Sequence, residues 1–135
     1  MNSIIELPAV KDNLNTVLDF IDSHLAEHGS SMKAQMQIET AVEELFVNIA
    51  GYAYSPYTGT VKIEFKCKDG IAWITFNDTG VPYNPLARTD PDVTLPAAAR
   101  PIGGLGILMV KKMMDDVIYR YENGCNILTI KKKIV

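Results

Sequence analysis

The first residues that could do chemistry are Glu44 and Asn48, which lie four positions apart in a predicted helix. Residues at this spacing share one helix face, and here they form a narrow stripe beside the apolar face. A carboxylate that is buried on such a stripe requires a charge partner or a task. Glu43 points roughly 100° away from Glu44. Taken alone, the stripe is more simply an ordinary surface, because exposed glutamates are common.

A second cluster, Asp78-Thr79-Gly80, directly follows a predicted strand. An aspartate at a strand end can place its acceptor oxygens over the mouth of a pocket, and the glycine allows a ligand to approach the backbone closely. The alternative is a simple turn, since the residues that follow are also turn formers. For this cluster alone, the turn is the simpler interpretation.

The third cluster, Gly103-Gly104-Leu105-Gly106, opens a short predicted helix. Backbone amides at a helix N-terminus favour phosphate, and glycines let an anion come close to them. No Gly-Lys-Ser/Thr follows, which excludes a P-loop. The sequence also fits a dinucleotide-binding motif poorly, because Met109 stands where the third glycine belongs and a proline-containing loop precedes the cluster.

Hydrophobic periodicity predicts the elements that must position these clusters. The predicted helices run from about Val10 to Gly29, from a Ser30 or Ser31 cap to about Tyr54, and from about Leu105 to Met114. The predicted strands are Ser3–Leu7, Val61–Cys67, Ile71–Asn77, Val117–Tyr121 and Asn126–Lys132. This order predicts an α+β fold, a two-layer sandwich with helices on one face of a mixed, largely antiparallel sheet.

Five of the seven prolines fall in Val81–Pro101, a segment without a predicted element. Loops of this length inside a compact domain are usually functional or mobile. No repeat or second core is evident, so residues 1–135 are predicted to form one domain.

The composition excludes several classes of protein. Net charge is −3 and 47% of residues are apolar, so the chain has enough apolar residues for a core and lacks the basic balance of a nucleic-acid-binding protein. There is no signal-peptide pattern and no apolar run long enough to cross a membrane. We expect a cytoplasmic protein.

In this order, Glu44-Leu45-Phe46-Val47-Asn48, Asp78-Thr79-Gly80 and the glycine cluster resemble the N, G1 and G2 boxes of the gyrase/heat-shock chaperone/histidine kinase/MutL ATPase superfamily. The branch that the chain resembles most is that of the small anti-sigma-factor serine kinases. The resemblance covers nearly the whole chain and implies a Bergerat-type ATP-binding fold.

The resemblance also implies roles for individual residues. Glu44 would be the general base that takes a proton from an attacking hydroxyl, and Asn48 would ligate Mg²⁺ through its side-chain oxygen. Asp78 would accept a hydrogen bond from the adenine amino group, and Gly80 would let the base pack against the backbone.

Further residues are assigned to ATP by the same resemblance. Amides of the G2 box would contact the phosphates, and residues from about 81 to 104 would form a lid over the nucleotide. Arg100 could reach the γ-phosphate, with a solvated arginine as the alternative, and Asn126 could contact adenine through water. The G2-box residues concerned are Gly103, Gly104, Leu105 and Gly106.

Two residues depart from the family pattern: Tyr52 stands where a histidine is common, and Pro82 where a second glycine is common. The resemblance implies an ATP-dependent kinase that phosphorylates an anti-sigma-factor antagonist, binds a sigma factor and forms a homodimer. The departures leave open an ATP-dependent partner-binding switch without phosphotransfer. A histidine kinase catalytic domain is disfavoured, because no phosphoacceptor helix pair is evident. A domain without any ligand is the remaining alternative.

Overall fold

The computed structural model describes residues 3–53, 59–87 and 104–135. Its helices and strands follow the predicted order, with ends that differ from the predicted ones by a few residues. The elements are β1 (Ser3–Pro8), α1 (Leu14–Glu27), α2 (Met32–Asn48), β2 (Thr60–Lys68), β3 (Ile71–Asp78), α3 (Gly104–Met113), β4 (Asp116–Glu122) and β5 (Cys125–Lys133).

The five strands form one sheet in the order β1-β2-β3-β5-β4. Every pairing among these strands is antiparallel, which agrees with the predicted largely antiparallel sheet and leaves no parallel pair among them. Both predicted hairpins are confirmed. Asp69-Gly70 and Asn123-Gly124 have positive φ at both turn residues, which is typical of the two-residue turns that match the twist of paired strands.

The core lies between one face of the sheet and the helices. Alternate residues of the strands point into it, as period-two patterning requires. The predicted α+β class is therefore confirmed, with a single helical layer on the sheet. The largest fully buried side chains come from α1, α2, the strands and the residue after β5: Phe46, Phe65, Phe76, Ile21, Leu25, Ile38, Ile63, Ile74, Ile130, Ile134, Val17 and Val42.

The ends of α2 are defined by two local features. Ser31 caps the helix, because its Oγ accepts a hydrogen bond from the backbone N–H of Ala34 at 3.1 Å. After Asn48 the helix widens into one turn of π-helix, Ile49–Ala53. Such turns are rare and frequently lie at functional sites. The predicted end at Tyr54 lies outside the described residues.

None of the helices in the described ranges combines the length and apolarity that a membrane crossing requires.

Candidate nucleotide-binding site

A cleft opens where the C-terminal end of α2 meets the ends of β3 and β5. It has about 440 Å³ of empty space, part of it open to solvent. Polar groups from α2, β3, β4 and β5 face it over a largely apolar floor. The lining residues are Leu45, Asn48, Ile49, Phe76, Asp78, Tyr83, Pro85, Tyr119, Asn126 and Leu128.

Asp78 is the last residue of β3, and only 4% of its surface is exposed. Its Oδ1 atom accepts hydrogen bonds from the backbone N–H of Gly80 at 2.9 Å and from Nδ2 of Asn126 at 3.0 Å. Within the described part of the chain, Oδ2 accepts none. The carboxylate is thus fixed through one oxygen and keeps the other as an acceptor for a ligand.

Asn126 faces Asp78 across the β3–β5 pair and is 6% exposed. Its Nδ2 also donates to the carbonyl oxygen of Val81 at 3.0 Å and lies 3.4 Å from that of Gly80. Its Oδ1 accepts from the backbone N–H of Tyr83 at 3.1 Å and from the hydroxyl of Tyr119.

These contacts use the whole hydrogen-bonding capacity of the Asn126 carboxamide, which has two donors and two acceptor sites. Water-mediated contact with adenine stays a prediction for Asn126. The observed contacts make Asn126 a support for Asp78 and for the segment that follows it.

Tyr119 was not singled out in the sequence. It lies on edge strand β4, opposite Leu128 of β5, and its ring lines the cleft. Burial raises the pKa of its phenol, with the nearby charge of Asp78 as a smaller cause in the same direction. The hydroxyl therefore stays protonated and can donate to Asn126. Alternation along β4 fixes which face of the sheet Tyr119 occupies, but not which residue it contacts.

Asn48 ends α2 and presents its carboxamide to the cleft. It makes no hydrogen bond to any residue in the described ranges, so its oxygen remains an available ligand for a hard cation. No group of three or more histidine, cysteine or acidic side chains suited to a metal is found in those ranges. A Mg²⁺ ion would fit here with Asn48 as a protein ligand and with phosphate and water oxygens in its remaining positions.

Glu44 lies one turn before Asn48 on α2 and is partly buried, while Glu43 is exposed. The carboxylate of Glu44 contacts the first turn of α3 at Gly106. The predicted pairing of Glu44 and Asn48 on one face is therefore observed, and that face lies against α3 rather than in open solvent.

The remaining predicted residues are described in part. Gly104 and Leu105 begin α3, and Gly80 follows β3. Residues 88–103 of the predicted lid, including Arg100 and Gly103, lie outside the described residues. Tyr83 and Pro85, near the start of that lid, line the cleft.

The fold and the positions of the three motifs define the class of protein: a small α+β domain with a candidate nucleotide-binding cleft. The histidine kinase-like ATPase domain family matches residues 7–132. The chain belongs to this family, and its membership supports ATP as the ligand.

Several curated bacterial proteins resemble the chain in sequence. Serine-protein kinase RsbW of Bacillus cereus (strain AH820) and that of Bacillus anthracis are each 28% identical over 98 residues. The match covers 70% of this chain and 61% of each relative, so the chain spans less than two thirds of the length of the relatives it matches.

Solved structures also resemble the fold, among them the two that follow. The structure of the RsbU and RsbW domains of Rv1364c from Mycobacterium tuberculosis has a TM-score of 0.69 and 18% identity, over 99% of this chain and 32% of that one. Histidine kinase AdeS from Acinetobacter baumannii has a TM-score of 0.53 and 14% identity, over 98% of this chain and 68% of that one. At these identities, the likeness extends to the fold alone.

Proposed function

We propose that this chain is an ATP-binding regulatory serine/threonine-protein kinase of the anti-sigma-factor type. The observation that carries the proposal is the shared cleft: Asn48 and Asp78 come from different elements, 30 positions apart in sequence, and line the same cavity. Family membership supports ATP as the occupant. The name of the RsbW relatives, serine-protein kinase, supports the activity.

The cleft is proposed to bind adenine at its inner end. Oδ2 of Asp78 accepts a hydrogen bond from the exocyclic amino group of the base, while the ring lies over apolar side chains such as Phe76 and Leu128. Guanine carries a carbonyl oxygen where adenine carries this amino group. An acceptor at Asp78 therefore selects adenine, because two acceptors facing each other leave both unsatisfied.

The phosphates are proposed to lie between Asn48 and the start of α3, where the amides of Gly104 and Gly106 face them. Mg²⁺ held by Asn48 would neutralise charge on the phosphate oxygens. Glu44 takes the proton from a serine hydroxyl of a partner protein. That oxygen bonds to the γ-phosphorus as the bond to the bridging oxygen breaks and ADP leaves.

The partners follow from the same proposal. The serine belongs to an anti-sigma-factor antagonist, and the kinase alternatively binds a sigma factor, with a homodimer as the assembly. Residues 1–135 act as one domain, with a lid over about residues 81–104 that includes Arg100 and Gly103.

A melting scan with and without Mg-ATP tests nucleotide binding. At a concentration one hundredfold above its dissociation constant, Mg-ATP is expected to stabilise the wild type by about 2.7 kcal/mol, a rise of several degrees in Tm. Asp78→Asn replaces one carboxylate oxygen, an acceptor, with an NH₂ group, a donor, and should abolish the rise in Tm. Mg-GTP should produce no rise in the wild type.

The matched control is Asp69→Asn, which makes the same change in the turn at the other end of β3. It should retain the full rise in Tm. An equal rise in wild type and Asp78→Asn would contradict the assignment of Asp78. Partner binding that requires ATP, in a protein that produces no ADP, would favour the switch without phosphotransfer.

A further inference from the structure

Glu44 and Gly106 make an unusually close contact between α2 and α3. A Cβ atom added to Gly106 would lie 2.1 Å from Oε2 of Glu44, 2.8 Å from its Cδ and 3.5 Å from its Cγ. The first two separations are shorter than real Cβ contacts allow. The carboxylate of Glu44 therefore occupies the space that any side chain at position 106 would need.

Four other glycines have different surroundings. Gly29, Gly70 and Gly124 have positive φ and belong to turns or helix ends. Gly51 lies in the π-turn, and no atom of the described residues is within 4 Å of the Cβ that a side chain would add there. Gly106 lies inside α3 without a positive φ, where glycine is about 1 kcal/mol less favourable than alanine. The close approach of Glu44 therefore explains why position 106 is a glycine.

We infer that Gly106 is a positioning residue for Glu44: the absence of a side chain at 106 admits the carboxylate against the first turn of α3, beside the proposed phosphate site. This inference rests on the proposed function, in which Glu44 is the general base. A general base must lie within hydrogen-bonding distance of the proton it removes. A methyl group at 106 would force the carboxylate elsewhere.

The contact also makes the substitution informative. The atoms that a Cβ would meet first belong to the end of a flexible side chain, so Glu44 can move aside without disturbing the backbone. Alanine favours a helix more than glycine does, so Gly106→Ala should fold at least as stably as the wild type. Alanine also keeps the backbone N–H that was predicted to contact phosphate, so the two roles of position 106 can be separated.

The experiment compares four variants of the full chain: Gly106→Ala, Glu44→Gln, the double variant and Gly51→Ala. ADP production at saturating Mg-ATP and the Kd of Mg-ATP are measured for each. We expect Gly106→Ala and Glu44→Gln each to lower turnover by about 100-fold, the lower end of what a general base contributes, with Kd unchanged. The double variant should be no slower than Glu44→Gln, because both changes remove the same interaction. Gly51→Ala, which adds a methyl group in open space, should match the wild type.

The outcomes separate this inference from the proposed function. Loss of turnover in Glu44→Gln but not in Gly106→Ala overturns the inference and leaves the general base in place. A weaker Kd with normal saturated turnover in Gly106→Ala also overturns it, and assigns the glycine to phosphate approach.

Full turnover in Glu44→Gln contradicts the proposed general base instead, and a wild type that produces no ADP without an acceptor protein gives no turnover to compare. Whether Gly106 positions the Glu44 carboxylate is then decided by the ¹³C resonance of the Glu44 carboxyl group. A shift in Gly106→Ala but not in Gly51→Ala supports the inference, and an unchanged resonance overturns it.

Discussion

The carboxamide of Asn126 links three parts of the cleft: the end of β3, the segment after it, and edge strand β4. Tyr119 completes this arrangement by donating to Oδ1. Tyr119→Phe removes that donor and keeps the ring. A neutral hydrogen bond contributes about 1 kcal/mol, so we expect about fivefold weaker binding of Mg-ATP, measured by calorimetric titration.

The control for this prediction is Tyr121→Phe. Tyr121 lies on the same strand and the same face, and its hydroxyl makes no hydrogen bond within the described ranges. Its removal should leave the affinity unchanged. Equal affinities for wild type and Tyr119→Phe would mean that Asn126 is held adequately by backbone groups alone.

At the level of single residues, the sequence predicted which side chains lie at or beside the cleft better than it predicted their contacts. Glu44, Asn48 and Asp78 stand out by spacing and by position at element ends. The full set of hydrogen bonds made by the Asn126 carboxamide could not be predicted, because it depends on the register that pairs Asp78 with Asn126 across β3 and β5. Alternation of apolar residues fixes which face a residue occupies, not which partner it meets.

The helix pair α1–α2 contains a pair of facing carboxyl groups. Asp22 on α1 faces Glu39 and Gln35 on α2, and its Oδ1 is buried without a hydrogen-bond partner in the described ranges. Burial, followed by the nearby carboxyl groups of Glu39 and Asp19, raises the pKa of Asp22 to about 6. The folded state therefore binds this proton more tightly than the unfolded state does.

This raised pKa predicts how stability changes with pH. Because the folded state holds more protons between the unfolded pKa, 3.8, and about 6, stability falls as pH rises through that window and the loss persists above it. Asp22→Asn cannot ionise. We expect it to exceed the wild type in free energy of unfolding by about 1 kcal/mol at neutral pH, allowing for screening of a partly exposed group.

Urea unfolding at a series of pH values measures this difference between Asp22→Asn and wild type. The difference should shrink toward zero near the unfolded pKa. A constant difference at all pH values would assign the effect to packing rather than to the proton.

Helices and strands were predictable because each carries its own signal. The Ser31 cap, the two turn sequences and the apolar periodicities all agree with the observed elements. The π-turn after Asn48 carried no such signal, since a continuous apolar stripe suits both kinds of helix. The approach of α2 to α3 at Gly106 was also not predictable, because packing between elements depends on where the sheet places them.

At the scale of the whole molecule, the cleft is not separable from the core. Leu45, Phe76 and Leu128 belong to the buried cluster and also line the cavity. A ligand that fills the cleft therefore adds contacts to the same packed layer that holds the sheet to α2. If residues 1–135 are one domain, nucleotide binding should stabilise all of it together.

Trp73 makes this prediction measurable. It is the only tryptophan in the sequence and lies on central strand β3. Its ring is on the sheet face opposite the helices, where Nζ of Lys131 lies 5.9 Å from the ring centroid. Its fluorescence reports on the sheet, while far-UV circular dichroism is dominated by the helices. In urea, the two signals should give one coincident unfolding transition. Mg-ATP at one hundredfold above its Kd should raise the free energy of unfolding measured by each signal by about 2.7 kcal/mol. Separate midpoints, or a shift seen by only one probe, would divide the chain into units that unfold independently, because a ligand stabilises only the unit whose folded state it binds.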